Sequence, residues 1–191
     1  MKNYLFLPLS VLLFCCMTRT RDVESSADTT LDPHAQVTVV SDTLPEKSPF
    51  YSHTDTSALH VSDAEWRKVL PNEIYQVARN KDTERAFTGK YWNYMGRGTY
   101  YCAACGNKLF RSDAKFASEC GWPSFFEVER KNSVKYQTDN SFGMERIEVL
   151  CGRCGGHLGH LFDDGPPPTG KRYCMNSIVL EFQPELGAQV K

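Results

Sequence analysis

The sequence predicts a mainly β fold, an antiparallel sheet, sandwich or partial barrel, entered through two short helices near residue 61. Three observations predict it. From about Lys90 onward, short apolar or alternating runs are separated by Gly, Asn, Asp and Pro, the punctuation of strands and turns. Helical periodicity is confined to the stretch between Ser62 and Ala78. Four of the eight cysteines fall in two Cys-x-x-Cys-Gly repeats placed where turns are expected.

Composition narrows the function classes. The 191 residues carry 22 basic and 23 acidic side chains, a formal charge of −1, so no polycationic nucleic-acid surface is indicated. Hydrophobic residues at 41% and aromatics at 12% supply a core. No apolar run reaches the ~18–20 residues that span a bilayer, which excludes a polytopic membrane protein.

The first sixty residues are expected to lie outside the fold. Met1 and Lys2 precede an apolar stretch, Tyr4 to Phe14, broken only by Pro8 and Ser10. That is the pattern of a secretory signal, assigned to residues 1–20, and it predicts an exported chain in the periplasm or cell envelope. Cys15 and Cys16 close the apolar run, where a lipid would tether the mature chain to a membrane. Leu12-Leu13-Phe14 lacks the small residue such signals place before the cysteine, so lipidation, simple cleavage and an uncleaved anchor all stay open. Residues 21–60 hold seven acidic, two basic and twelve Ser/Thr residues. Such a segment buries too little to offset its ordering entropy and is expected to be a flexible linker. The domain itself is assigned to residues 61–187.

Its first helix is marked by Ser62-Asp63-Ala64-Glu65, a capping box, with Val61 and Trp66 as a hydrophobic staple. Trp66, Val69 and Leu70 share one face, and Pro71 stops the turn. A second helix buries Ile74, Val77 and Ala78. Strands are expected at Thr99–Cys102, Asn107–Phe110, Ser124–Val128, Val134–Thr138, Met144–Leu150, His157–Phe162, Arg172–Asn176 and Ile178–Phe182.

Cys102-Ala103-Ala104-Cys105-Gly106 and Cys151-Gly152-Arg153-Cys154-Gly155 form a small internal repeat, each glycine followed three residues on by a leucine, Leu109 or Leu158. Two thiolates three apart chelate one tetrahedral ion when the turn is tight, and the glycine supplies the positive φ such a turn needs. Two knuckles complete a closed four-thiolate shell, the structural type of zinc site. The 45 residues between them predict an ion that clamps two distant hairpins. Two disulfides are the alternative in an exported chain.

Cys120 and Cys174 remain. A structural disulfide is the default for two such residues. In Arg172-Tyr173-Cys174-Met175-Asn176, however, period two places Arg172, Cys174 and Asn176 on one face, and a guanidinium beside a thiol favours the nucleophilic thiolate. His157-Leu158-Gly159-His160 offers two imidazoles as proton donors, or a metal-binding or merely exposed pair. Asp163 to Gly170, with three consecutive prolines, is a stiff loop, either a surface turn or a rim beside the nucleophile. Trp122 in Cys120-Gly121-Trp122-Pro123 is expected to line a pocket, Phe125 and Phe126 to pack in the core.

These residues resemble the B-type methionine sulfoxide reductases, the class that reduces the R epimer at sulfur. The resemblance covers about Ser62 to Pro184. It rests on Thr83-Glu84-Arg85, Phe87 to Trp92, both knuckles, Gly121 to Phe125, His157 to Phe162, Asp164-Gly165-Pro166 and Arg172 to Ser177. Met175 and Ser118-Glu119 depart from the commonest wording of their motifs. The resemblance implies two antiparallel sheets with N-terminal helices. It implies that Cys174 is the catalytic nucleophile and Cys120 the resolving cysteine. Trp122 matches the residue that receives the substrate methyl group, with Phe162 in the same substrate-binding wall. His157, His160 and Asn176 match polar groups around the sulfoxide oxygen, and Arg172 a residue beside the nucleophile. Cys102, Cys105, Cys151 and Cys154 match the ligands of one structural Zn2+.

The implied reaction is repair after oxidative damage. Cys174 takes the oxygen of a methionine-R-sulfoxide in a protein or peptide, free methionine sulfoxide being left open, and becomes a sulfenic acid. Cys120 then forms a disulfide with it, and a thioredoxin-like electron donor recycles the pair. Outside the cytosol that donor is expected to be a membrane-linked thiol relay or an exported thioredoxin-like protein. The chain is expected to act as a monomer, without nucleic acid. Two other readings are a zinc-ribbon binding module using Trp122 and an exported domain cross-linked by disulfides; metal content and the effect of Cys174→Ser separate them from the reductase.

Overall fold

The computed structural model describes residues 47–186. The expected signal at 1–20, with Cys15 and Cys16, and the expected linker as far as residue 46 lie outside the described residues. Among the described residues two helices come first, α1 (Asp63–Val69) and α2 (Asn72–Asn80). The capping box forms as expected: the Ser62 side chain accepts from the Glu65 amide at 3.3 Å, and Glu65 Oε2 accepts from the Ser62 amide at 3.0 Å. Trp66 is buried at the base of α1. In α2, Tyr75, Val77 and Ala78 are buried, whereas Ile74 packs only partly.

Nine strands follow: β1 (Gly98–Cys102), β2 (Lys108–Arg111), β3 (Lys115–Phe116), β4 (Ser124–Phe125), β5 (Val134–Asp139), β6 (Arg146–Cys151), β7 (His157–Phe162), β8 (Arg172–Met175) and β9 (Leu180–Pro184). They make two antiparallel sheets, β2-β1-β9 and β3-β4-β8-β7-β6-β5. Between the sheets Phe110 stacks on Phe125 with centroids 4.3 Å apart, and the Tyr100 ring meets Phe125 edge-on at 5.0 Å. Among the described residues no helix is long and apolar enough to cross a membrane.

Three expectations are corrected. The two-residue strand β3 gives no alternation in sequence and was not expected. Ile178 and Val179, expected to open the last strand, lie in a 3-10 turn (Ser177–Val179), so β9 starts at Leu180. Residues 47–60, which their composition assigns to the flexible linker, lie against the domain instead. Ser48 donates to Ala104 O at 2.8 Å, the Ser52 amide to Cys105 O at 3.0 Å and the Leu59 amide to Arg153 O at 2.9 Å. Phe50 meets Trp66 edge-on at 5.0 Å, and Tyr51 donates to Glu181 at 2.6 Å. Composition undervalued this segment because its partners are main-chain groups and a few aromatics supplied from elsewhere in the chain.

Candidate active site and four-cysteine cluster

The knuckles lie in two hairpin turns, one in each sheet: Cys102 and Cys105 between β1 and β2, Cys151 and Cys154 between β6 and β7. Gly106 and Gly155 have φ of 76° and 68°, the left-handed conformation that only glycine adopts without strain. The four Sγ atoms are buried and lie within 4.8 Å of one another. Zn–S bonds of ~2.3 Å in a tetrahedron put sulfurs about 3.8 Å apart. Cys102 and Cys154 are 3.8 Å apart, Cys105 and Cys151 3.6 Å. A disulfide needs ~2.05 Å, so these are thiols set for one tetrahedral ion with no open position. Segment 47–60 closes over the first knuckle. The buried Arg153 donates to Cys105 O at 2.6 Å, to Phe50 O at 2.7 Å and to Asp55 at 2.7 Å, so a positive charge stands beside the thiol cluster.

The second thiol pair sits on the face of the six-stranded sheet turned away from the aromatic core. Register builds it as a cross-strand row. Gln137 of β5 opposes Glu148 of β6, Glu148 opposes His160 of β7, His160 opposes Cys174 of β8, and Cys174 opposes Ser124 of β4. Side chains directly opposite on one face are contact neighbours, so pairing alone delivers an imidazole and a hydroxyl to the Cys174 thiol. Cys120, in the loop before β4, brings its sulfur to 3.5 Å from that of Cys174.

His157 and His160 are three residues apart, which in a regular strand puts them on opposite faces. The pairing of β7 with β6 slips between Gly159 and His157, and this bulge swings His157 round until the two rings are 5.5 Å apart. His157 stands one layer behind the cleft. Its Nδ1 meets Glu148 at 2.7 Å, Lys81 meets the other oxygen of Glu148 at 2.8 Å, and its Nε2 is buried without a partner among the described residues. Burial holds its pKa below the ordinary histidine value. His160 Nε2 meets Asp139 at 2.8 Å, and Arg146 donates to the same carboxylate oxygen at 2.7 Å.

The cleft against Cys174 is lined by Thr83, Trp122, Arg146, Gly159, His160, Phe162, Met175 and Asn176, and measures about 110 Å3. It therefore brings together Cys174, Trp122, Phe162, His160 and Asn176 as expected. It does not include Arg172, whose guanidinium makes a bidentate pair with Asp164 at 2.8 Å and lies 4.3 Å from the Phe162 ring centroid. The amide of Asn176 is already engaged. Its oxygen accepts from the Glu84 amide at 3.0 Å and its nitrogen donates to Leu158 O at 3.1 Å, so it ties two segments together as well as facing the cleft.

Charge distribution at the thiol pair involves more than Arg172. Arg172 does favour a thiolate at Cys174, but the nearer Cys120 outweighs it, and the Cys174 thiol is pushed above the usual range by that neighbour and by burial. Cys120 is held down to about 4, first by the hydrogen bond from Cys174 and then by the Ser118 and Ser124 hydroxyls at 3.0 and 3.4 Å. The pair titrates as a unit and holds one thiolate with one shared proton.

Sequence reasoning missed Asp139, Arg146 and Glu148, which join the histidines only through strand pairing, and Glu84. The Glu84 carboxylate accepts from the Ser177 amide at 2.5 Å and the Ile178 amide at 3.0 Å, and its carbonyl accepts from Trp122 Nε1 at 3.1 Å. One residue thus braces both the indole and the chain leaving Cys174.

The SelR domain model matches residues 70–184. The chain belongs to the MsrB family of methionine sulfoxide reductases. A Thiobacillus denitrificans protein named peptide methionine sulfoxide reductase MsrB is 55% identical over 124 residues, 65% of this chain and 94% of its own length. Proteins of the same name from Methanosarcina barkeri and Leptospira interrogans are 54% and 55% identical, over 67% and 65% of this chain and 90% and 95% of their own lengths. The SelR match starts at Leu70, just after α1, so the segment that closes over the first knuckle lies ahead of it.

Proposed function

We propose that the protein reduces the R epimer of methionine sulfoxide in oxidised proteins and peptides through a Cys174 sulfenic acid and a Cys120–Cys174 disulfide. The observation that carries this reading is the pair of thiols 3.5 Å apart beneath an indole and an imidazole. The Trp122 ring offers an apolar wall to the S-methyl group and His160 faces the opposite need, a donor for the oxygen, so only one epimer places both groups well. As substrate enters, the shared proton passes from Cys174 to Cys120, and the Cys174 thiolate attacks the sulfoxide sulfur. The oxygen takes a proton from His160, which Asp139 orients through Nε2. Methionine leaves, the oxygen remains on Cys174 as S–OH, and sulfur has been reduced by two electrons. Cys120, as thiolate, then attacks Cys174, forming the S–S bond and releasing the hydroxyl as water with one further proton.

An external dithiol must reduce that disulfide. With residues 1–20 read as an export signal, the donor is a thioredoxin-like protein or thiol relay outside the cytosol. Cys102, Cys105, Cys151 and Cys154 would hold a structural zinc ion. Bound there, it would supply no chemistry to the substrate and would add its binding free energy to folding.

The test follows dithiothreitol-driven reduction of the two separated epimers of a peptide methionine sulfoxide. Turnover of the R epimer alone, abolished by Cys174→Ser, is expected. A folded, metal-loaded protein that turns over neither epimer overturns the assignment and favours a binding module.

A further inference from the structure

The cleft at Cys174, about 110 Å3, has room for about four water-sized groups of ~30 Å3 each. That is the scale of a methionine sulfoxide side chain. The main chain of a substrate, and the residues on either side, have to lie outside it. Beside the cleft runs a larger groove of about 460 Å3, which shares Thr83, Arg146 and His160 with it. One wall is the segment 80–83 after α2; the other is β5 with the turn at 140–142.

At the end of this groove stands Phe142. It is 89% exposed and has a φ of 57°, a left-handed conformation that a bulky residue rarely takes. The turn that presents it is fixed. Asp139 accepts from the Ser141 amide at 2.9 Å, and Arg146 donates to the Ser141 hydroxyl at 3.1 Å and to Asp139 at 2.7 Å. Asp139 is also the carboxylate that holds His160. An aromatic ring is therefore held out in water, on an unfavourable backbone, by the same polar network that orients the imidazole over the cleft. Strain and exposure kept in place beside a reacting group call for a partner that covers the ring.

We propose that this groove is the subsite for the polypeptide flanking the sulfoxide, and that Phe142 packs against an apolar residue next to the oxidised methionine. The proposal rests on the reductase reading and narrows its substrate class. The occupant is an extended stretch of an oxidised protein that carries an apolar residue beside the sulfoxide. Methionine is mostly a core residue. Once oxidation loosens a core, the segments presented carry apolar neighbours, and covering an exposed ring with one of them removes apolar surface from water.

The test uses the full-length protein with dithiothreitol and three R-sulfoxide substrates: N-acetylmethionine sulfoxide methylamide, a pentapeptide with glycines flanking the sulfoxide, and one with leucines. kcat/KM is read for each protein as a ratio to its own value on the methylamide, so that a general change in activity cancels. The wild-type ratio is expected to favour leucine over glycine flanks by about ten-fold, carried in KM, the size of effect one buried apolar contact gives. Phe142→Asn, which keeps the left-handed turn, is expected to bring the leucine ratio down to the glycine ratio, and Phe142→Gly to do the same. A leucine preference that survives both substitutions, or its absence from the wild type, overturns the subsite. Failure of the wild type to turn over any of the three substrates overturns the reductase reading, and the subsite falls with it.

Discussion

Replacing Glu84 tests whether the geometry at Cys174 is braced from outside the strand that carries it. The Glu84 carboxylate accepts two main-chain N–H bonds, from Ser177 at 2.5 Å and Ile178 at 3.0 Å, at the start of the turn that follows β8. A hydrogen bond to a charged acceptor contributes ~1.5–3 kcal/mol net. Glu84→Ala removes both, and because Glu84 is half-buried water re-enters and recovers part of the loss, which leaves a cost of about 3 kcal/mol. Glu84→Gln keeps one acceptor but turns an NH2 toward the second N–H, for about 2 kcal/mol. With a urea m-value of ~2 kcal/mol/M, Glu84→Gln lowers the unfolding midpoint by about 1 M and Glu84→Ala by about 1.5 M, m unchanged. The Trp122 indole bonds the carbonyl of the same residue, so its fluorescence should shift, and kcat/KM should fall by about ten-fold or more as the reacting groups lose registration. Equilibrium unfolding and turnover on one preparation settle it. Midpoints within 0.2 M of wild type, an error-level difference of about 0.4 kcal/mol, would refute the brace.

Three other outcomes are expected. Without added thiol, Cys120→Ser should reduce one equivalent of sulfoxide and keep a dimedone-reactive sulfenic acid on Cys174, which the wild type should instead convert to a disulfide; a wild type equally reactive toward dimedone would contradict the resolving role. Because the pair loses its first proton at Cys120, at about 4, iodoacetamide should modify Cys120 before Cys174. The rate should stay flat from neutral pH down toward pH 5 and be lost as pH falls through about 4, since a lowered thiol pKa keeps the reactive thiolate above that value; peptide mapping that finds Cys174 alkylated first would reverse the order. Arg153→Leu and Asp55→Ala should speed metal transfer from the four-cysteine cluster to a chromophoric chelator, because they open the segment that closes over the first knuckle. Release at the wild-type rate would show that the segment does not guard the cluster.

Signals local in sequence were legible at sight. The capping box at Ser62 and Glu65 is satisfied by residues three apart, and the positive φ at Gly106 and Gly155 is a property of each knuckle. The pairing of the knuckles follows from thiolate chemistry, which leaves few other uses for four cysteines so spaced. What escaped has non-local causes. Asp139 meets His160, and Arg146 meets Asp139, because three strands are in register, and no spacing along the chain encodes that. The bulge that turns His157 toward His160 lies in how β7 pairs with β6. Glu84 reaches Ser177 across 93 positions of chain. At the Cys174 thiol the neighbour visible in sequence, Arg172, is two residues away, whereas Cys120, which acts on it more strongly, is 54 away.

The sequence by itself determined the two helices, most of the strands and the four metal-ligand candidates, since each depends on residue type and short spacing. The tertiary structure alone decided which thiol holds the proton, which histidine faces the cleft and which lies behind it, and that residues 47–60 belong to the folded body. Those outcomes depend on distances of 3–5 Å between groups tens of residues apart, and charge, burial and hydrogen bonding act over such distances only once the chain has closed on itself.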